Sequence, residues 1–117
     1  MTKHILFALR EIIIKEYSNL LLNEPVMLGR RLRIVLTDGS IVDIRYPIKQ
    51  EYSFHWQRKD GSIIRIDTAP YHPDIKTYPN HKHYLSEENI LPDDVTDPSN
   101  MPEVNCRKFL NYISNML

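Results

Sequence analysis

Histidine is concentrated in the middle of the chain, where four of the five histidines occur: His55, His72, His81 and His83. An imidazole has a pKa of about 6.5, so these side chains can take up or release a proton near neutral pH. Arg65 and Asp67 lie in the same stretch, two positions apart. A guanidinium can hold a phosphate with two parallel hydrogen bonds, and a carboxylate can orient an imidazole or pair with the guanidinium. These residue types predict acid–base chemistry on a phosphate group.

A metal-independent ribonuclease needs this combination of side chains. One group removes the proton of the RNA 2′-hydroxyl, a second protonates the leaving 5′-oxygen, and a fixed cation stabilises the charge that develops on phosphorus. We therefore predict a catalytic site, with no metal ion or other cofactor, made from His55, Arg65, Asp67, His72, His81 and His83.

Two other kinds of site are consistent with the same residues. His81 and His83 share one face of an extended segment and, with His72 or Asp74 as a third ligand, would form the centre of a metal-dependent hydrolase. Alternatively, Arg65 and Asp67 form a simple surface salt bridge and hydrogen bonds fix the histidines. The segment would then belong to a module that binds a protein or an RNA without cutting it. The residue pattern does not separate these alternatives.

The elements that position these residues include two β-hairpins, each marked by an Asp-Gly pair. In the second hairpin, a three-residue loop at 59–61 pairs Trp56 with Ile64 and His55 with Arg65, which gives one apolar and one polar face. A two-residue loop would set aromatic residues against charges on both faces, so the pattern favours the three-residue loop. The same loop length at 37–39 in the first hairpin gives an equally consistent register, with Ile34 opposite Val42, Leu32 opposite Ile44 and Arg33 opposite Asp43.

A helix is predicted at each end of the chain. Apolar residues recur at spacings of three and four over residues 4–22, and Glu24-Pro25 ends that helix. The last helix is predicted to begin with Ser99 or Asn100 as its cap and Pro102 in its first turn. Its predicted buried stripe is Cys106, Phe109, Leu110, Ile113 and Leu117.

We therefore predict a single α+β domain, residues 1–117, in which both helices pack on an antiparallel sheet of two hairpins with four to five strands. The fifth strand would be a short one at 81–85. Residues 68–80 are expected to form an ordered, proline-rich loop, and residues 88–100 an irregular segment. The predicted core is Leu9, Ile13, Leu32, Ile34, Val42, Ile44, Phe54, Trp56, Ile64, Ile66, Phe109 and Ile113.

Charge and composition narrow the classes of partner. The net charge is +0, which argues against a globally basic nucleic-acid binder, yet basic residues outnumber acidic ones between positions 30 and 65. The side chains predicted to contact RNA are Arg33, Arg45, Arg58 and Lys82. A single cysteine and the lack of a long apolar run predict a cytoplasmic protein without a membrane span. The apolar surface of residues 5–22 is wider than one sheet can cover, which favours a homo-oligomer.

The histidine-rich segment resembles the TumE family of toxin–antitoxin proteins over residues 30–85. The resemblance lies in three patterns in order: Arg65-x-Asp67, Ala69-Pro70-x-His72-Pro73 and Pro79-x-His81-x-His83. The chain departs from the family where Ile66 and Thr68 stand in place of an aromatic residue and an asparagine. The resemblance implies a small cytoplasmic toxin that is neutralised by a DNA-binding antitoxin encoded beside it. Toxins of this size are commonly endoribonucleases.

Overall fold

The computed structural model describes residues 2–117 and contains one seven-stranded antiparallel sheet with two helices. The strands are adjacent in the order in which they occur in the chain. The elements are α1 (Thr2–Glu16), a 3-10 turn (Ser18–Leu20), β1 (Val26–Leu28), β2 (Arg31–Val35), β3 (Ile41–Ile48), β4 (Glu51–Gln57), β5 (Ile63–Asp67), β6 (His81–Tyr84), β7 (Ile90–Pro92) and α2 (Pro102–Met116). The α+β class is confirmed.

The strand count of four to five was too low. Both edge strands, β1 and β7, were missed, and each has only three residues. A strand of that length does not show the period-two alternation from which a strand is recognised. Its position comes from pairing with a longer neighbour, as Val26 pairs with Arg33.

Both hairpin registers are confirmed. Trp56 pairs with Ile64 and His55 pairs with Arg65 in the second hairpin, and the first hairpin has the predicted pairs as well. The third residue of each loop is a glycine with a positive φ, +88° at Gly39 and +90° at Gly61, a backbone conformation that L side chains rarely adopt. The length of each turn fixes the register of its hairpin, and the register determines the face of the sheet on which each side chain lies.

The two faces of the sheet have different environments. One face packs against the helices, and every residue of the predicted core is buried there or in the helices. Polar groups in this layer have partners, as Trp56 Nε1 donates to Ser40 Oγ at 2.9 Å. The opposite face carries Asp43, His55, Arg65, Asp67, His81 and His83, and neither helix covers it.

The helices begin and end differently from the prediction. Helix α1 ends at Glu16 because the following backbone pairs with the sheet. Leu22 N–H donates to Val35 O, and Thr37 N–H donates to Leu20 O, both at 2.9 Å. The N-cap of α2 is Met101, with Pro102 at the first helical position. Leu117 follows that helix and is half exposed, so its assignment to the buried stripe was wrong.

The segment between β7 and α2 is hydrogen-bonded to the end of the loop that precedes β6. Asp93 is 5% exposed and accepts hydrogen bonds from the backbone N–H groups of Val95 and Thr96. It also accepts one from Asn80 Nδ2 at 2.8 Å. Asn80 immediately precedes His81, so this network fixes the point at which the histidine-bearing strand starts. None of the helices in residues 2–117 is long and apolar enough to cross a membrane.

Candidate functional site

A row of ionisable side chains crosses the open face of the sheet. The strand register places Asp43, His55, Arg65 and His83 opposite one another on β3, β4, β5 and β6. The next row on this face brings Ser53, Asp67 and His81 together. The predicted hairpin register, extended by β6, therefore brings together most of the candidate catalytic residues.

Arg65 is held from three sides. Its Nε donates to Asp67 Oδ2 at 2.9 Å, and its Nη1 donates to Glu87 Oε1 at 2.9 Å. Its Nη2 lies 2.8 Å from Glu87 Oε2 and 3.1 Å from His83 Nε2. A guanidinium has no acceptor, so His83 Nε2 accepts this bond. These contacts fix the direction of the guanidinium.

His83 and His81 are both almost completely buried, at 4% and 2% exposure. Nδ1 of His83 lies 2.9 Å from Glu87 O, and Nδ1 of His81 lies 3.3 Å from Pro79 O. A carbonyl oxygen is an acceptor and His83 Nε2 accepts from Arg65, so the proton of His83 is on Nδ1. Both nitrogens of His81 face acceptors, since its Nε2 lies 3.2 Å from Asp67 Oδ1. Burial lowers the pKa of His81, and the nearby Asp67 carboxylate opposes that change. Burial is the larger of the two effects and favours the neutral imidazole.

His72 completes a cluster of three imidazoles with His81 and His83. Its ring meets those of His81 and His83 edge to face, with centroids 4.7 and 6.0 Å apart. One nitrogen from each of the three rings lies within 4.8 Å of the others. His81 Nε2 is 3.0 Å from His83 Nε2 and 3.2 Å from Asp67 Oδ1. We refer to His72, His81 and His83 as the histidine cluster.

His55 lies apart from the histidine cluster, on β4 beyond Arg65. It is half-buried and lines a groove of about 600 Å³ that runs over the open face. Its pKa is lowered, first by burial and then by the positive charge of Arg65. His55 is therefore neutral at pH 7 and has a nitrogen lone pair that can accept a proton.

Arg31 is a residue of this groove that the sequence analysis missed. Within residues 2–117, its Nε is the only buried side-chain nitrogen or oxygen without a hydrogen-bond partner. Arg45 and Arg65 line the same groove. The available signal was the alternation of Arg31, Leu32 and Arg33 on one strand, which places both arginines on the polar face. A buried donor without an acceptor is costly, and an anion in the groove would satisfy it.

The predicted RNA-contacting residues lie in different places. Arg45 lines the groove, whereas Arg33 is held by Asp43 through two hydrogen bonds of 2.9 and 3.0 Å. Arg58 covers the Trp56 ring, near the end of α2. Lys82 is on the helix-covered face, where its Nζ donates to Asp94 Oδ1 at 2.8 Å. Only Arg45 of these four belongs to the groove.

Comparison with known proteins identifies a family. No curated protein and no solved structure matches the chain. A family model described as "Toxin TumE" matches residues 5–117, which is nearly the whole chain. The match covers α1 from residue 5 onward, α2 and all strands of the sheet, including the row of ionisable side chains. The chain therefore belongs to the TumE family of toxins.

Proposed function

We propose that this toxin cleaves RNA, and that the scissile phosphate binds to Arg65 in the groove on the open face of the sheet. The observation that carries the proposal is the position of Arg65 beside His55, on a face lined also by Arg31 and Arg45. These side chains provide a base and several phosphate contacts at one place. The aspartates beside them are paired, Asp43 with Arg33 and Asp67 with Arg65.

His55 would act as the general base. Because its pKa is lowered, it is neutral at pH 7 and can take the proton of the 2′-hydroxyl. The 2′-oxygen then bonds to phosphorus, the bond from phosphorus to the 5′-oxygen breaks, and the products are a 2′,3′-cyclic phosphate and a 5′-hydroxyl end. Arg65 stabilises the charge on the phosphorane oxygens. No step of this reaction uses a metal ion.

The histidine cluster and Asp67 are proposed to position Arg65. His81 and His83 are too deeply buried to reach a bound RNA in this conformation, which favours a supporting role over proton donation to the 5′-oxygen. Water in the open groove would supply that proton. The groove would also be the surface that a DNA-binding antitoxin covers in the cytoplasm, since a partner seated there excludes RNA.

Two variants test the base and the phosphate contact. We expect His55→Gln to lower the cleavage rate by about 100-fold or more, the usual contribution of a positioned base. Arg65→Lys keeps the charge but loses the planar guanidinium and its hydrogen bonds to Asp67 and Glu87, so it should also slow cleavage. His4→Gln is the matched control, because His4 is exposed on α1. Wild-type cleavage by His55→Gln would refute the role of His55.

A binding module that does not cut RNA is the alternative. It predicts that the wild-type protein binds RNA in the groove and leaves it intact during prolonged incubation. Binding measured by fluorescence anisotropy, together with gel analysis of the same RNA, separates the two functions.

A further inference from the structure

We propose that the histidine cluster binds a Zn²⁺ ion, with Asp67 as an adjacent fourth donor. This inference goes beyond the proposed function, because the RNA cleavage described above uses no metal. The ion would lie in the histidine cluster, which contacts Arg65 through His83. The sequence left either His72 or Asp74 as a third ligand beside His81 and His83. The geometry selects His72, since its ring packs against the other two.

The spacing of the ring nitrogens fits a metal centre. Zinc–nitrogen bonds are about 2.0–2.1 Å long, which places two ligands of a tetrahedral ion about 3.3 Å apart. His81 Nε2 and His83 Nε2 are 3.0 Å apart, and the three nitrogens of the cluster all lie within 4.8 Å of one another. His81 and His83 are already near the separation of two zinc ligands, and His72 would have to move closer to complete the site.

The two buried imidazoles turn their Nε2 atoms toward each other and their Nδ1 atoms toward the backbone. In each ring Nδ1 faces a backbone carbonyl, Pro79 O for His81 and Glu87 O for His83, which would hold a proton on Nδ1 when Nε2 binds an ion. Ligating histidines in proteins are generally oriented in this way by a partner on the second nitrogen. The two Nε2 atoms lie 3.0 Å apart. A bound ion would replace the hydrogen bond between them with two metal–nitrogen bonds and would release the proton they share.

Two carboxylates, Asp67 and Glu87, lie beside the cluster together with one cation, Arg65. Asp67 Oδ1 lies 3.2 Å from His81 Nε2, the separation expected for two ligands of one ion. Glu87 provides a second carboxylate near His83, at 3.7 Å from Nδ1. Arg65 would give up its contact with His83 Nε2 but keep its bonds to Asp67 and Glu87. Three imidazoles with a carboxylate form a donor set that suits Zn²⁺.

Such an ion would join two parts of the chain. His81 and His83 are on β6, whereas His72 lies in the loop between β5 and β6. The ion would hold this loop against the sheet and thereby stabilise the contacts of Asp67 with Arg65. Its effect would be on stability as well as on the shape of the groove.

The test is a titration of the tag-free, chelator-treated full chain with Zn²⁺, followed by calorimetry and by the thermal transition. We expect one ion per chain and a rise in the transition temperature. His72→Gln should weaken binding at least tenfold, and this half-buried loop residue should be replaceable without unfolding, as circular dichroism would verify. Titration with Co²⁺ should give the visible absorption bands of tetrahedral coordination in the wild type but not in His72→Gln.

The two histidines outside the cluster serve as matched controls. His4→Gln and His55→Gln should bind Zn²⁺ as the wild type does. The proposal is overturned if the wild type binds no ion, or if His72→Gln binds as tightly as the wild type. In that case a shared proton explains the short contact between His81 and His83. Because no RNA is present, this result is independent of the outcome for cleavage.

Discussion

Arg31 provides the sharpest test of the groove as a phosphate-binding surface. Each phosphate of a single strand that a protein neutralises contributes about −0.7 to the slope of log affinity against log salt. Arg31→Gln should therefore make the slope less negative by about 0.7. Between 50 and 200 mM salt, a fourfold change, this alters the loss of affinity by a factor of about 2.6. At low salt the variant should bind about tenfold more weakly, since a lost contact of this kind is worth roughly 1.5 kcal/mol.

Fluorescence anisotropy with a 2′-O-methylated oligonucleotide measures this slope without cleavage. Arg58→Gln is the control, because it removes the same charge near Trp56 and away from the groove. Arg31 Nε has no partner within the described residues, so Arg31→Gln should leave the urea midpoint unchanged or raise it. An unchanged salt slope in Arg31→Gln, or an equal change in Arg58→Gln, would refute the assignment of the groove.

Three further predictions concern the core, the titration of His55 and the surface of α1. Phe109→Ala should lower the free energy of unfolding by about 3–5 kcal/mol, because Phe109 is fully buried and its ring stacks on Phe54 with centroids 4.9 Å apart. Leu117→Ala, at a half-exposed position, should change it by less than about 0.5 kcal/mol. Stability in urea should fall as pH decreases below about 6.5, because the pKa of His55 is lower in the folded chain and the unfolded chain binds more protons; His55→Gln should reduce this dependence. Phe7 is 54% exposed on α1, so if the wild-type chain self-associates, Phe7→Glu should disrupt that association in sedimentation experiments, and a wild-type monomer at high concentration would contradict the predicted homo-oligomer.

The hairpin register could be predicted because a slip of one residue exchanges the faces of a strand. Only one register places Trp56 opposite Ile64 and His55 opposite Arg65, and the structure has that register. The end of α1 could not be predicted from the apolar pattern, because it is set by pairing of the following backbone with the sheet. Leu22 continues the apolar run of α1, yet its N–H bonds to Val35 on β2. Helical periodicity alone does not reveal such a long-range contact.

The sequence predicted the residue types of the candidate site better than their arrangement. The sequence grouped His55 with His81 and His83. It did not show that His81 and His83 are buried or that His83 contacts Arg65. Nor did it show that Lys82 pairs with Asp94 on the opposite face. Residues next to each other on a strand point to opposite faces, so a short basic or histidine-rich segment contributes to two environments.

The chemical ends of the products show whether the toxin cleaves RNA by attack of the 2′-hydroxyl. Purified toxin, free of antitoxin, should be incubated with a labelled RNA without added metal and again with Mg²⁺. This mechanism gives 2′,3′-cyclic phosphate and 5′-hydroxyl ends in both conditions, at a rate that rises with pH through a midpoint below about 6.5, since His55 must be neutral. RNA that stays intact in both conditions, or products with 5′-phosphate ends formed only with Mg²⁺, would contradict it.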